Sequence, residues 1–248
     1  MKRWWKLLLA AVLVLALVLA GLAWRQQENL KAVRDALRYS REELEQQLAD
    51  NQQTIRDAVD DAPEVSVREV TDEERQALRD GTVTREELIE SLLNTESTEA
   101  AGEPPVSSTV PEQPVETAKP VELPKPAEQA YQRELSALIA KVYVLREEYT
   151  MALDDMYNAA KADYKALPKE KRTKRALMDL AGSYLDRASA LEAQCDAQMD
   201  ETVAAMEALI QTNSGDMTLV DQVVYAYANE KSLKKAWYLS KLEQKGLV

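Results

Sequence analysis

From Tyr131 to Met156 the residues Tyr131, Leu135, Leu138, Val142, Leu145, Tyr149, Ala152 and Met156 alternate steps of four and three without a break. That spacing collects them on one stripe of an α-helix and would scatter them over both faces of a strand. After a turn at Pro168 the pattern resumes with Leu177, Ala181, Tyr184, Ala188, Leu191, Cys195, Thr202 and Leu209. Two long amphipathic helices joined by a short turn lie antiparallel. Asn213, Ser214 and Gly215 stop the second, and a third starts near Asp216 to Thr218, with Val220, Val224, Tyr227, Trp237 and Leu242 along its apolar face. Residues 128–248 are thus expected to form a coiled-coil domain, an elongated antiparallel helical hairpin or three-helix bundle. Cys195 should face the seam, opposite Leu145 to within one helical turn.

The rest of the chain points to the same class, all-α. Only six glycines are available for turns, and the strong helix formers Ala, Leu, Glu, Gln, Lys and Arg dominate. Histidine is absent. That removes the commonest general base, the commonest zinc ligand and the usual partner of a Ser or Cys nucleophile. We identify no catalytic, cofactor-binding or metal-ligating residues and read the chain as not an enzyme, without cofactors.

Leu7 to Ala23 is a run of uncharged residues preceded by Lys2, Arg3 and Lys6 and flanked by Trp4, Trp5 and Trp24. As a helix, Trp4 to Trp24 would span about 31 Å, close to the hydrocarbon thickness of a bilayer. The interfacial tryptophans and the basic stub suit a transmembrane signal-anchor over residues 1–24, a single span. The other reading is a signal peptide, since Gly21 and Ala23 have the small side chains a signal peptidase reads, in which case the protein is secreted. Basic residues also follow the run (Arg25, Lys31, Arg34, Arg38, Arg41). A short basic stub before an apolar run is nevertheless what export machinery engages, so the bulk of the chain is expected to be extracytoplasmic.

Residues 25–62 read as a continuing helix with a narrow seam of Leu30, Val33, Leu37, Ser40 and Leu44, shifted at Leu48 and resumed at Ile55 and Val59. Such a seam suits either a coiled-coil stalk with one stutter or a helix lying against another part of the chain. Residues 63–94 contain two capping-box patterns, Thr71 with Glu74 and Thr84 with Glu87, separated by Gly81, and predict a small helical hairpin. The stretch DGTVTREEL has the form of half a calcium loop, but the preceding ligand positions fall on Gln76 and Leu78, which carry no carboxylate. Gly81, Val83, Thr84, Glu86 and Glu87 resemble the core of the bacterial hairpin called the short C-terminal domain, which implies an oligomerisation or docking role for those residues. Residues 95–127 hold seven of the nine prolines among Thr, Ser, Glu and Val, a composition that cannot bury a core. They are expected to form a disordered Pro-rich linker, a spacer on the order of 50–100 Å.

The net charge of −12 falls mainly on residues 25–127, and so acidic a chain lacks the footprint for nucleic acid. One segment runs against this trend. Lys165, Lys169, Lys171, Arg172, Lys174 and Arg175 crowd the turn between the two long helices, opposed only by Glu170. Five further lysines against Glu230 and Glu243 in residues 229–248 should lie near the same tip, giving an acidic domain with a basic pole. Such a pole is a candidate contact for an anionic polymer or anionic lipid headgroups. The expected function is a membrane-anchored scaffold or interaction protein with a protein partner or self-association through coiled coils. The alternative is an exported module whose basic tip recognises an anionic envelope polymer or lipid.

Overall fold

A computed structural model describes residues 31–93 and 126–244. The expected span over 1–24 lies outside the described residues, as does nearly all of the 95–127 segment. Every regular element described is helical, with no strand among the described residues. In order they are α1 (31–38), α2 (Arg41–Asp60), α3 (Asp72–Arg79), α4 (Arg85–Leu93), α5 (Pro126–Ala166), a 3-10 turn (Lys169–Lys171), α6 (Lys174–Thr212) and α7 (Thr218–Gln244). No helix among the described residues is long and apolar enough to cross a membrane.

Packing divides the chain into two units, each assembled from segments distant in sequence. The first comprises the described parts of Met1–Asp57, Tyr149–Cys195 and Asp221–Val248. Side-chain pairs fix its helix directions. Tyr149 bonds Glu192 and Tyr184 bonds Asp163, so the separation shrinks from 43 to 21 residues and α6 runs antiparallel to α5. Lys234 bonds Thr150 and Tyr238 bonds Asp154, both across 84 residues, so α7 runs parallel to α5. This up-down-up order is the one expected. Cys195 is half-buried and packs on the cluster of Tyr149, Leu153 and Ala188, one turn beyond Leu145.

A fourth helix enters this unit, and of the two readings of residues 25–62 it agrees with a helix lying against another part of the chain. The helix breaks at Tyr39 and Ser40, where Ser40 accepts from the Glu43 N–H at 3.2 Å and Glu43 accepts from the Ser40 N–H at 2.7 Å. That is a capping box, and it starts α2 afresh. Leu44 is fully buried against Leu233 and Ala236 of α7, with Leu48 and Trp237 packed around them. Asn51 donates to the Ala226 carbonyl at 2.9 Å. The coiled-coil stalk is therefore not what forms. Leu44 and Leu48 of the seam pack on α7 of the same chain, and α1 and α2 join α5, α6 and α7 in the first unit.

The second unit comprises the described parts of Ala58–Glu148 and Asp196–Val220. Both capping boxes form. The Glu74 N–H donates to Thr71 at 3.2 Å and the Glu87 N–H to Thr84 at 3.2 Å, each glutamate returning an acceptor to the threonine N–H. Gly81 adopts φ +68°, the left-handed conformation that closes α3. Leu88 and Leu92 are fully buried, Arg75 pairs with Glu147, and Arg85 pairs with Glu148 of α5. The hairpin thus docks within its own chain. Gly215 ends α6 at a close approach, since a Cβ there would lie 2.9 Å from the Tyr131 hydroxyl.

Arg68 grips Glu74 with two bonds of 2.8 and 2.6 Å, and Ser91 donates to the same carboxylate at 2.6 Å. The Arg68 guanidinium, then the Ser91 and Thr71 donors, hold Glu74 at about 2 against burial, which pushes it up. The folded value lies below the unfolded one, so the stabilisation is present above about pH 4.5 and is lost as pH falls towards 2. Glu74→Gln should lower stability near neutral pH by about 2 kcal/mol, after allowance for partial exposure, and flatten the acid limb. Urea melts between pH 2 and 7 measure both.

Candidate functional site

The turn at 165–175 is built as its residues dictate. Pro168 ends α5, residues Lys169–Lys171 form one 3-10 turn, and Thr173 accepts from the Ala176 N–H at 3.2 Å to start α6. The six sequence-predicted residues Lys165, Lys169, Lys171, Arg172, Lys174 and Arg175 are all exposed and all lie on this turn. Their roles differ. Arg172 folds back and donates to the Leu167 carbonyl at 2.9 Å and the Lys165 carbonyl at 2.6 Å, satisfying groups that the end of α5 leaves open. Arg175 lies 3.9 Å from Asp179, with both side chains almost fully in solvent, a pair worth little. Lys174 borders a groove between α1, α6 and α7.

Among the described residues, the other half of the expected basic pole does not form; Lys245 lies outside them. Lys231 and Lys235 are buried, Lys234 is nearly so, and Lys241 stacks over Trp237 at 4.0 Å. The constant 84-residue offset also places Gln244 level with residue 160, short of the turn. Arg41 stacks over the same Trp237 and pairs with Glu45 at 2.8 Å, and Arg34 lies 3.3 Å from Asp35 on α1. Val33, Ala36 and Leu37 of α1 line the same groove as Lys174.

Sequence reasoning missed the buried charges of α7. Lys235, with a side chain 1% exposed, donates to Glu192 at 2.9 Å, and the Tyr149 hydroxyl donates to the same carboxylate at 2.9 Å. Burial first, then the Glu192 charge, holds the Tyr149 phenol well above its usual range, so it stays a proton donor. Each charged partner is engaged by the other, which makes the trio a structural clamp. The available signal was the polar run Asn229-Glu230-Lys231-Ser232 leading into Lys234 and Lys235, which interrupts the apolar spacing of a helix that has neighbours on several sides.

A cleft of about 320 Å³ opens beside it, lined by Glu45, Gln52, Thr150, Asp154, Trp237 and Tyr238 among others. Trp237 donates to Glu45 at 3.1 Å, Lys234 to Thr150 at 2.6 Å and Tyr238 to Asp154 at 2.7 Å. The Trp237 bond, then Arg41, draws the Glu45 carboxylate below its usual range. These polar groups answer one another across the cleft. No family model matches this chain, and no curated protein or solved structure matches it.

Proposed function

We propose that this chain is a single-pass, membrane-anchored scaffold or interaction protein whose bulk stands on the extracytoplasmic side. The observation that carries this reading is the uncharged run Leu7–Ala23 between tryptophans and a basic stub, long enough to span a bilayer. The proline-rich residues 95–127 allow reach between the body and a protein partner. Because α7 covers Leu44 and Leu48 of α2, the partner is met through other surfaces than these. Alkaline carbonate extraction of native membranes, followed by N-terminal sequencing, tests the anchor. Retention in the pellet with residues 4–24 present is expected, and a released chain beginning at Trp24 overturns it.

One observation favours the second reading, a module whose basic turn recognises an anionic envelope polymer or lipid headgroups. Lys174 and Arg175 occupy the first turn of α6, which contains no acidic residue. Cations there oppose the helix dipole by about 0.3–1 kcal/mol each, so helix stability alone does not account for them. Contact with an anion would.

A further inference from the structure

The groove between α1, α6 and α7 brings exposed apolar side chains next to the basic turn. It has a volume of about 350 Å³ and is lined by Val33, Leu37, Leu177, Met178 and Leu239, with Lys174 at its edge. Five large apolar side chains are exposed among the described residues, and three of them, Val33, Leu37 (73% exposed) and Met178 (64%), line this one groove. Clustered apolar exposure of this kind marks an interaction surface. One edge is cationic: the exposed Lys169, Lys171 and Arg172 of the 165–175 turn lead directly into Lys174, which lines the groove. Apolar side chains beside a basic turn are the composition of an interfacial membrane contact.

Chain length says which surface is within reach. Eight residue steps separate Ala23, the end of the apolar run, from Lys31, the first described residue of α1. Even fully extended they cover less than about 30 Å. Whatever α1 presents is therefore held close to the bilayer that the run enters. We propose that the groove docks on the surface of that membrane, with Leu37 and Met178 at the headgroup boundary and the basic turn on anionic headgroups. This rests on the anchored reading and deepens it: the anionic ligand of the turn is the bilayer itself and not a distant polymer.

The test uses the full chain with Cys195→Ser, a single new cysteine at Leu37 or Met178, and an environment-sensitive fluorophore there. A third label at Tyr225, 65% exposed but outside the groove, is the control. In vesicles with one-third anionic lipid, labels at 37 and 178 should shift to the blue relative to neutral vesicles, and label 225 should not. Neutralising Lys169, Lys171, Lys174 and Arg175 should remove the shift at moderate salt, each cation being worth about a fivefold change in surface partitioning. Helicity by circular dichroism confirms that each variant folds. Labels that report water in both vesicle types overturn the proposal. So does a shift that grows with protein density in neutral vesicles, since a second copy then fills the groove. Carbonate extraction of the same vesicles scores the anchor separately, because labels can shift in a chain that carbonate releases and stay in water in one that it does not.

Discussion

Lys235→Met is expected to destabilise the first unit by about 3–5 kcal/mol, a large fraction of the stability of an ordinary domain. The loss comes less from the missing attraction than from what is left behind. Glu192 has a side chain 7% exposed, and without the lysine its carboxylate is left with the hydrogen bond from the Tyr149 hydroxyl and no counter-charge from Lys235. A carboxylate stranded in that environment lacks the solvation it had in the unfolded chain. The same logic predicts recovery. Lys235→Met combined with Glu192→Met and Tyr149→Phe removes the charge, its counter-charge and the hydroxyl that would otherwise be orphaned, and should return most of the loss. Urea denaturation of the single, double and triple variants measures this, and strict additivity would show that the three groups do not form one clamp.

What could be read beforehand followed from local chemistry. The capping boxes of Thr71 and Thr84, the left-handed Gly81 and the stop at 213–215 depend on residues within four positions of one another, and such signals survive whatever packs around them. The Ser40–Glu43 box has the same form. It was legible, but the 3-4 spacing of Val33, Leu37, Ser40 and Leu44 ran straight through it and argued for continuity. Partners were harder. A periodic stripe reports that a face is covered and not by what, so the Leu44 seam suited a second copy and α7 equally. In α7 the failure was of another kind. Val224, assigned to the apolar face, is 43% exposed, while Glu230, Lys231, Ser232, Lys235 and Ser240 are buried. A helix with neighbours on several sides has no single apolar stripe, and its charges are tolerated only because partners distant in sequence, such as Glu192, receive them. The basic turn was legible for its charge, which is contiguous. The apolar groove beside it was not, because α1, α6 and α7 meet there from three separate stretches of sequence.

Leu44→Ala should cost about 2–5 kcal/mol, and the way the loss appears will show whether α2 belongs to the body or to a stalk. Leu44 is fully buried against Leu233 and Ala236, so truncation opens a cavity in an interface made by one chain. Loss of an intrachain contact gives a melting temperature that is lower but independent of protein concentration. A two-chain stalk would instead melt at a temperature that rises with concentration, before and after the substitution. Hydrogen exchange adds position. Amides of 41–57 and those of α7 near Leu233 should both exchange faster in the variant, because each helix covers the other's apolar face. If only residues 41–57 responded, α7 would owe nothing to α2, and the fourth helix would have to be removed from the first unit. Trp237 supplies a third readout through the bond it donates to Glu45 at 3.1 Å. Its emission should move to the red as α2 loosens, and Glu45→Gln, which weakens that bond while keeping Leu44 in place, should produce the smaller part of the same shift.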